Sequence, residues 1–140
     1  MPGRSLLMHL ARLWTVAIVV GSFLPVKVKE VIGTETQSSI PVMKHRAAIR
    51  HKVGHLIAFG IAAFLFTAAS TRKAHRLYYF LFVVALGSTI ECMQHAIFGS
   101  ALEWWDIRDD TLAAAVGCLL GLFFALSLSP DKKTVSAFLR

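Results

Sequence analysis

The chain has few charged residues and few cysteines, and both shortages exclude classes of protein. Charged side chains make up 16% of the 140 residues, against about 25% in an average soluble domain. The two cysteines, Cys92 and Cys118, lie in apolar runs and have no CxxC spacing. Neither a disulfide framework nor a zinc ribbon therefore organises the fold.

What the chain has instead is a large apolar fraction combined with a basic excess. Hydrophobic residues make up 56% of the sequence, and 15 Lys and Arg residues outnumber 8 Asp and Glu residues, for a net charge of +7. The mean hydropathy of +0.61 is typical of a membrane protein with basic flanks. The basic residues fall between apolar segments, so we expect membrane lipids and not nucleic acid as the anionic partner.

Four apolar stretches are long enough to cross about 30 Å of hydrocarbon as helices. They cover residues 6–24, 53–70, 77–98 and 111–129. Because backbone groups at that depth must bond within the chain, helix is the favoured structure. The sequence predicts a single domain over 1–140 that folds as an all-α bundle of four transmembrane helices.

The connections between these stretches differ in charge. Residues 26–52 are polar and end in a basic run, residues 71–76 are basic, and residues 99–110 are acidic and contain Trp104 and Trp105. We expect the tryptophans to lie at the membrane interface and the basic run to be helical against it. The short basic connection favours a multi-pass protein of the cytoplasmic membrane with both termini in the cytoplasm.

The first stretch has a second interpretation. Arg4 and Arg12, followed by the short apolar run 13–24, also resemble a signal peptide, although residues 20–22 make a poor cleavage site. The later spans keep the same orientation in either case.

Alternating helix directions bring the start of the second span, the end of the third and the start of the fourth to one membrane face. The unusual polar residues lie at these three places. They are His55 in the second span, Glu91, Gln94 and His95 in the third, and Asp106 and Asp110 before the fourth. The sequence thus predicts a polar pocket, formed by these side chains and Lys52, at one end of the bundle.

Helical geometry assigns these residues to faces. At about 100° per residue, the three polar residues of the third span share one face. If the fourth helix begins near Asp106, its two aspartates share a face with small residues at every fourth position. These are Ala113, Gly117 and Gly121. We predict that this small-residue face packs closely against a neighbouring helix.

Glu91 is the most informative of the polar residues. It lies about 10 Å from the end of its span at 1.5 Å per residue, and carboxylates at such depth are energetically expensive and usually functional. Asp106 and Asp110 also suit the positive N-terminal end of a helix dipole, so helix capping is an alternative role for them.

Spacings across three spans carry a family resemblance. The residues are Lys52, His55 and Phe59 at the start of the second span, Glu91 and Gln94 near the end of the third, and Asp106 after Glu103 and Trp104. In this order the chain resembles the VanZ-like family of small membrane proteins, named after a protein linked to resistance to the glycopeptide teicoplanin. The resemblance implies a role in the cell envelope and in antibiotic resistance.

The chain departs from the family pattern at four positions. His51 stands where an acid is common, Ser100 where Arg is common, Asp110 where Asn is frequent and Ala113 where Gly is usual. Arg108 and Arg50 lie nearby and can supply the charge that Ser100 lacks.

Three functions fit the pattern. The first is to bind, sense or modify an anionic lipid or cell-envelope precursor at the outer membrane face, with Lys52, Arg46 and Arg50 holding the anion. The second is a membrane-embedded hydrolase or transferase. Glu91 and His95 at i, i+4 suit a divalent metal, but no diagnostic metal spacing is present, so we assign neither a metal nor a cofactor. The third is a non-catalytic scaffold whose polar residues tie helices together.

Overall fold

The computed structural model describes residues 2–24, 41–99 and 104–127, and the side chains of 3–24, 49, 52–99 and 104–127. The helices in these ranges are α1 (Pro2–Ser22), α2 (Pro41–Ala69), α3 (Lys73–Phe98) and α4 (Trp104–Ser127). No strand is present in the described ranges. The predicted all-α four-helix bundle is therefore confirmed.

Each helix contains a segment that is long and apolar enough to cross a membrane. These segments are Gly3–Ser22, Lys52–Ala69, Lys73–Phe98 and Trp104–Ser127. Hydrocarbon offers no water to backbone groups, so such a sequence folds into helices that close their own hydrogen bonds. The chain is a multi-pass membrane protein whose exposed apolar side chains contact lipid.

Two helices begin earlier than hydropathy predicts. α2 begins at Pro41, so the basic run 44–52 is helical, as predicted, and it is continuous with the membrane span. α4 begins at Trp104, which places Asp106 and Asp110 inside the helix and not in the preceding connection. The physical reason is that hydropathy marks where a helix enters hydrocarbon, whereas the helix itself continues through the polar interface.

A short turn joins α2 to α3. Because α3 begins at Lys73, the connection is shorter than the predicted 71–76. Arg76 donates from Nε and Nη2 to the carbonyl oxygen of Ser70 at 3.3 and 3.1 Å, which satisfies a carbonyl just past the C-terminal end of α2. At its other end α3 stops before Gly99, whose φ of 63° is the left-handed conformation that glycine adopts without strain.

α2 and α4 approach each other closely. A Cβ atom on Gly117 would overlap the backbone of Gly60, and one on Gly121 would lie 2.7 Å from the carbonyl oxygen of Phe64. Because the contact advances in the same direction along both helices, α2 and α4 run parallel. The small-residue face predicted for the fourth span thus lies against α2.

α1 and α3 complete the bundle around this pair. Trp14 donates from Nε1 to the carbonyl oxygen of Ala58 at 2.9 Å, which holds α1 against α2. Gln94 donates from Nε2 to the carbonyl oxygen of Ser22 at 2.9 Å. The C-terminal ends of α1 and α3 therefore meet.

Candidate polar site at one end of the bundle

One end of the bundle collects polar side chains from three helices. A Cβ atom on Gly87 of α3 would lie 3.2 Å from Oδ2 of Asp110 on α4 and 3.3 Å from the ring of Phe59 on α2. This contact places the last turns of α3 beside the first turns of α4 and of the membrane segment of α2. We call this region the polar end, and it comprises Lys52, His55, Glu91, Asp106 and Asp110.

Lys52 and Asp106 form an ion pair between α2 and α4. Nζ of Lys52 lies 3.7 Å from Oδ1 of Asp106, and the two side chains are 44% and 6% exposed. This separation is longer than a direct hydrogen bond. The pair therefore combines a half-exposed ammonium group with a buried carboxylate.

His55 and Asp110 form a second pair one turn deeper. Nδ1 of His55 lies 3.3 Å from each carboxylate oxygen of Asp110, and both side chains are largely buried. The imidazole ring also lies 5.9 Å from the ring of Phe59, measured between centroids. Gly87 leaves the room that the Asp110 carboxylate occupies, because any side chain there would press on it.

Each aspartate has one buried oxygen that lacks a hydrogen-bond partner within the described part of the chain. These atoms are Oδ1 of Asp106 and Oδ1 of Asp110, although the first keeps its ion contact with Lys52 and the second its ion contact with His55. Leaving a buried acceptor unsatisfied costs about 1–3 kcal/mol, and native proteins commonly relieve that cost with an ordered water or an ion. The polar end can therefore accept hydrogen bonds from a bound donor group.

Helix capping accounts for one aspartate only. Asp106 lies in the first turn of α4, where a negative charge is stabilised by the helix dipole. Asp110 lies a full turn further along, beyond the range of that effect, and is still buried. Its position is explained by His55 and not by the helix terminus.

Glu91 is also buried, with 6% of the residue exposed. It lies one helical turn beyond Gly87 on α3, the residue that contacts Asp110. Three buried carboxylates thus lie within the membrane segments of two helices. Such residues are rare in transmembrane helices, where they mark substrate or ion sites more often than packing.

Gln94 and His95 do not join this buried group. The amide of Gln94 bonds to Ser22 of α1 and so fastens two helices together, while His95 is exposed on α3. The physical reason is that residues on one helical face spread over a wide arc, and of these three only Glu91 lies on the buried part of α3, one turn beyond Gly87.

Two arginines expected to hold the anion and two residues compared with the family pattern lie outside the described side chains. The side chains of Arg46 and Arg50 belong to a helical stretch for which only the backbone is described, and Ser100 and Glu103 lie in the undescribed connection before α4. The contribution of Arg46 and Arg50 to an anion site stays a prediction.

Arg108 belongs to the exposed rim of the polar end. Its Nη2 lies 2.6 Å from Oδ1 of Asp109, and its guanidinium carbon lies 4.6 Å from the centre of the Trp105 ring. Trp104 and Trp105 are both exposed, as tryptophans at a membrane interface are.

The described residues include no group of three or more His, Cys, Asp or Glu side chains placed to hold a metal ion. The metal-dependent alternative therefore gains no support from these residues. What they do form is two ion pairs between α2 and α4.

Two residues that matter to this geometry were not predicted. Gly87 makes room for Asp110, and its signal in the sequence is its position four residues before Glu91, on the same helical face. Trp14 bonds across to α2, and no pattern within α1 indicates which backbone oxygen it reaches.

Comparison with known proteins yields no relative from which a role can be transferred. No protein-family model, no curated protein and no solved structure matches the chain. The resemblance to the VanZ-like family therefore rests on the residues quoted in the sequence analysis.

Proposed function

We propose that the chain is a VanZ-like integral membrane protein that binds, senses or modifies an anionic lipid or cell-envelope precursor at the outer face of the cytoplasmic membrane. The observation that carries this proposal is the polar end itself. Glu91, Asp106 and Asp110 are buried inside membrane segments, where ionisable groups are retained chiefly for function.

Lys52 supplies the group that meets the ligand. Its side chain is 44% exposed and its ammonium is 3.7 Å from Asp106, so it can donate to a phosphate or carboxylate without leaving its partner. His55 and Asp110 lie one turn below it and hold that part of α2 against α4. The basic run at the start of α2 adds positive charge in the same direction along the helix.

The experiment is a binding measurement with vesicles of stated composition. The purified protein, tagged for detection, is titrated with phosphatidylcholine vesicles that contain or lack phosphatidylglycerol. We expect Glu91→Gln and His55→Ala to weaken the preference for phosphatidylglycerol by about tenfold, equivalent to about 1.4 kcal/mol. Insertion of both variants is checked by protease protection.

The matched control is Asp109→Asn, which removes one negative charge from an exposed ion pair at the same end. It separates binding at a specific site from general electrostatic attraction to anionic lipid. General attraction would become stronger in both Glu91→Gln and Asp109→Asn, because each variant loses a negative charge. The proposal requires Glu91→Gln to bind more weakly and Asp109→Asn to bind at least as well as the original chain. Unchanged binding in both Glu91→Gln and His55→Ala overturns it.

A non-catalytic scaffold is the second candidate, and specific contacts favour it. The pairs Lys52–Asp106 and His55–Asp110 and the Gln94 bond to α1 all join different helices. For this role Glu91→Gln leaves function intact, whereas Gly117→Ala, which separates α2 from α4, abolishes it.

A further inference from the structure

The outer side of the α2–α4 pair carries an open apolar groove of about 440 Å³. α2 contributes Leu56, Gly60 and Phe64, and α4 contributes Leu112, Val116 and Leu120. The volume lies within the range of roughly 300–1,000 Å³ that is usual for sites of small ligands. At 1.5 Å per residue the groove runs for about 12 Å along each helix.

The groove exists because glycine lines its floor. Gly60 and Gly117 have no side chains and bring the two backbones together, while Val116 and Leu120 stand beside them with 56% of each residue exposed. Small residues between long ones leave a channel that is open toward the surrounding hydrocarbon. The occupant of such a channel in a bilayer is a hydrocarbon chain.

One end of the groove is marked by two cations. Lys52 precedes Leu56 by one helical turn, and Arg108 precedes Leu112 by one turn. Because α2 and α4 run parallel, both cations lie at the same end, which is the polar end. Their side chains are 44% and 56% exposed.

The acids at this end restrict the kind of headgroup. Lys52 pairs with Asp106, and Arg108 pairs with Asp109, so each cation already has a carboxylate partner, with which a bound anion must compete. Oδ1 of Asp106 is buried and has no hydrogen-bond partner among the described residues. A headgroup that carries a phosphate and a neighbouring hydroxyl can donate to this oxygen and accept from Lys52.

We propose that the α2–α4 groove binds one hydrocarbon chain of a lipid whose headgroup, a phosphodiester with free hydroxyls, lies at Lys52, Asp106 and Arg108. This inference rests on the proposed function, since it names the class of anionic ligand and the path of its chain. Its occupant is a lipid of the surrounding bilayer.

The test uses the full chain in phosphatidylcholine vesicles that contain a minor fraction of phosphatidylglycerol with a photoactivatable group on one acyl chain. After illumination, labelled peptides are located by mass spectrometry. We expect labelling on the groove-lining residues of α2 and α4. Leu120→Trp, which fills the groove, lowers this labelling by about fivefold.

Leu119→Trp is the matched control. Leu119 and Leu120 are neighbours with the same exposed fraction of 56%, but only Leu120 lines the groove. The control labels as strongly as the original chain. Equal labelling in both tryptophan variants, or labelling spread evenly over all four helices, overturns the inference.

A second arm separates this inference from the proposed function. The double variant Lys52→Gln and Arg108→Gln should lose the preference for phosphatidylglycerol over phosphatidylcholine vesicles. When Leu120→Trp is added to this double variant, it should still lower the labelling of the groove by the lipid chain. If the double variant loses that preference while Leu120→Trp has no effect, the proposed function stands and the groove inference is wrong. If the original chain shows no preference, the proposed function itself is wrong.

A competition experiment tests whether the acyl chain contributes to binding. Excess soluble glycerol phosphate should displace the labelled lipid only if the headgroup alone supplies the affinity. Complete loss of labelling in its presence overturns the role of the groove.

Discussion

The two ends of the bundle are charged in different ways. The polar end buries Glu91, Asp106 and Asp110 between helices. The opposite end, which we call the basic end, carries Arg4, Arg72, Lys73 and Arg76, and none of the acidic residues in the described ranges lies there. The hydrogen bonds from Arg76 to the carbonyl oxygen of Ser70 are local to the turn between α2 and α3.

The charges of the two ends have different physical origins. Basic residues that flank membrane helices are expected from topology and from anionic headgroups, so the basic end requires nothing further. Buried carboxylates are not expected on those grounds, since each must be desolvated and paired. The polar end therefore holds the residues that distinguish this chain from a generic four-helix membrane bundle.

The largest expected effect comes from breaking a buried pair at the polar end. His55→Leu leaves Asp110 buried without its partner and should lower the free energy of unfolding by about 3 kcal/mol. The measurement is unfolding in mixed detergent micelles. Adding Asp110→Leu should restore most of the loss, because the uncompensated carboxylate is then gone. A double variant that is less stable than His55→Leu contradicts this account of the pair.

The second effect tests the packing that supports the pair. Gly117→Ala forces α2 and α4 apart at Gly60 and should lower the free energy of unfolding by about 2 kcal/mol. The control is Gly54→Ala, where no heavy atom lies within 4 Å of the added Cβ and helix propensity favours alanine by up to about 1 kcal/mol. Similar unfolding curves for the two variants would show that the close approach is unimportant.

A smaller effect is expected where the polar end meets α1. Gln94→Leu removes the bond to the carbonyl oxygen of Ser22 and should cost about 0.6 kcal/mol, the usual value for a hydrogen bond between membrane helices. Met93→Leu, at an exposed neighbouring position, serves as the control. Binding of phosphatidylglycerol should be unchanged in both, since Gln94 is not part of the buried group; a loss of binding in Gln94→Leu would place it back in the site.

The smallest effect belongs to the basic end. Arg76→Gln loses the bonds to Ser70 and should cost about 0.5 kcal/mol, as is usual for a cation near a helix C-terminus. The check is the same unfolding measurement. A loss as large as that of His55→Leu would remove the contrast between the two ends.

The sequence was sufficient to predict the helices and one buried face. Hydropathy identified four spans, and the 100° rotation per residue grouped Asp106 and Asp110 with Gly117 on the side of α4 that the structure shows buried. Both predictions succeed because the hydropathy of a span and the rotation per residue are properties of a single helix and its solvent.

Contacts between helices were harder to predict. The spacing of Gly87 and Glu91 indicates a shared helical face, but nothing local to α3 indicates that Asp110 lies against Gly87, or that Gln94 reaches α1 while Glu91 is buried. Such choices depend on the rotation and depth of one helix against another. Hydropathy alone places the second and fourth spans from 53 and 111, after the starts of α2 and α4, because amphiphilic helix in the interface lacks the hydropathy signal of a span.

The most direct test of the central claim applies one substitution to both ends. Lys52→Gln at the polar end and Lys73→Gln at the basic end each remove one positive charge from a lysine in a membrane-spanning helix. The measurement is the preference of the reconstituted protein for phosphatidylglycerol over phosphatidylcholine vesicles. We expect a loss of about tenfold for Lys52→Gln and little change for Lys73→Gln. An equal loss in both variants, or a larger one in Lys73→Gln, would contradict it.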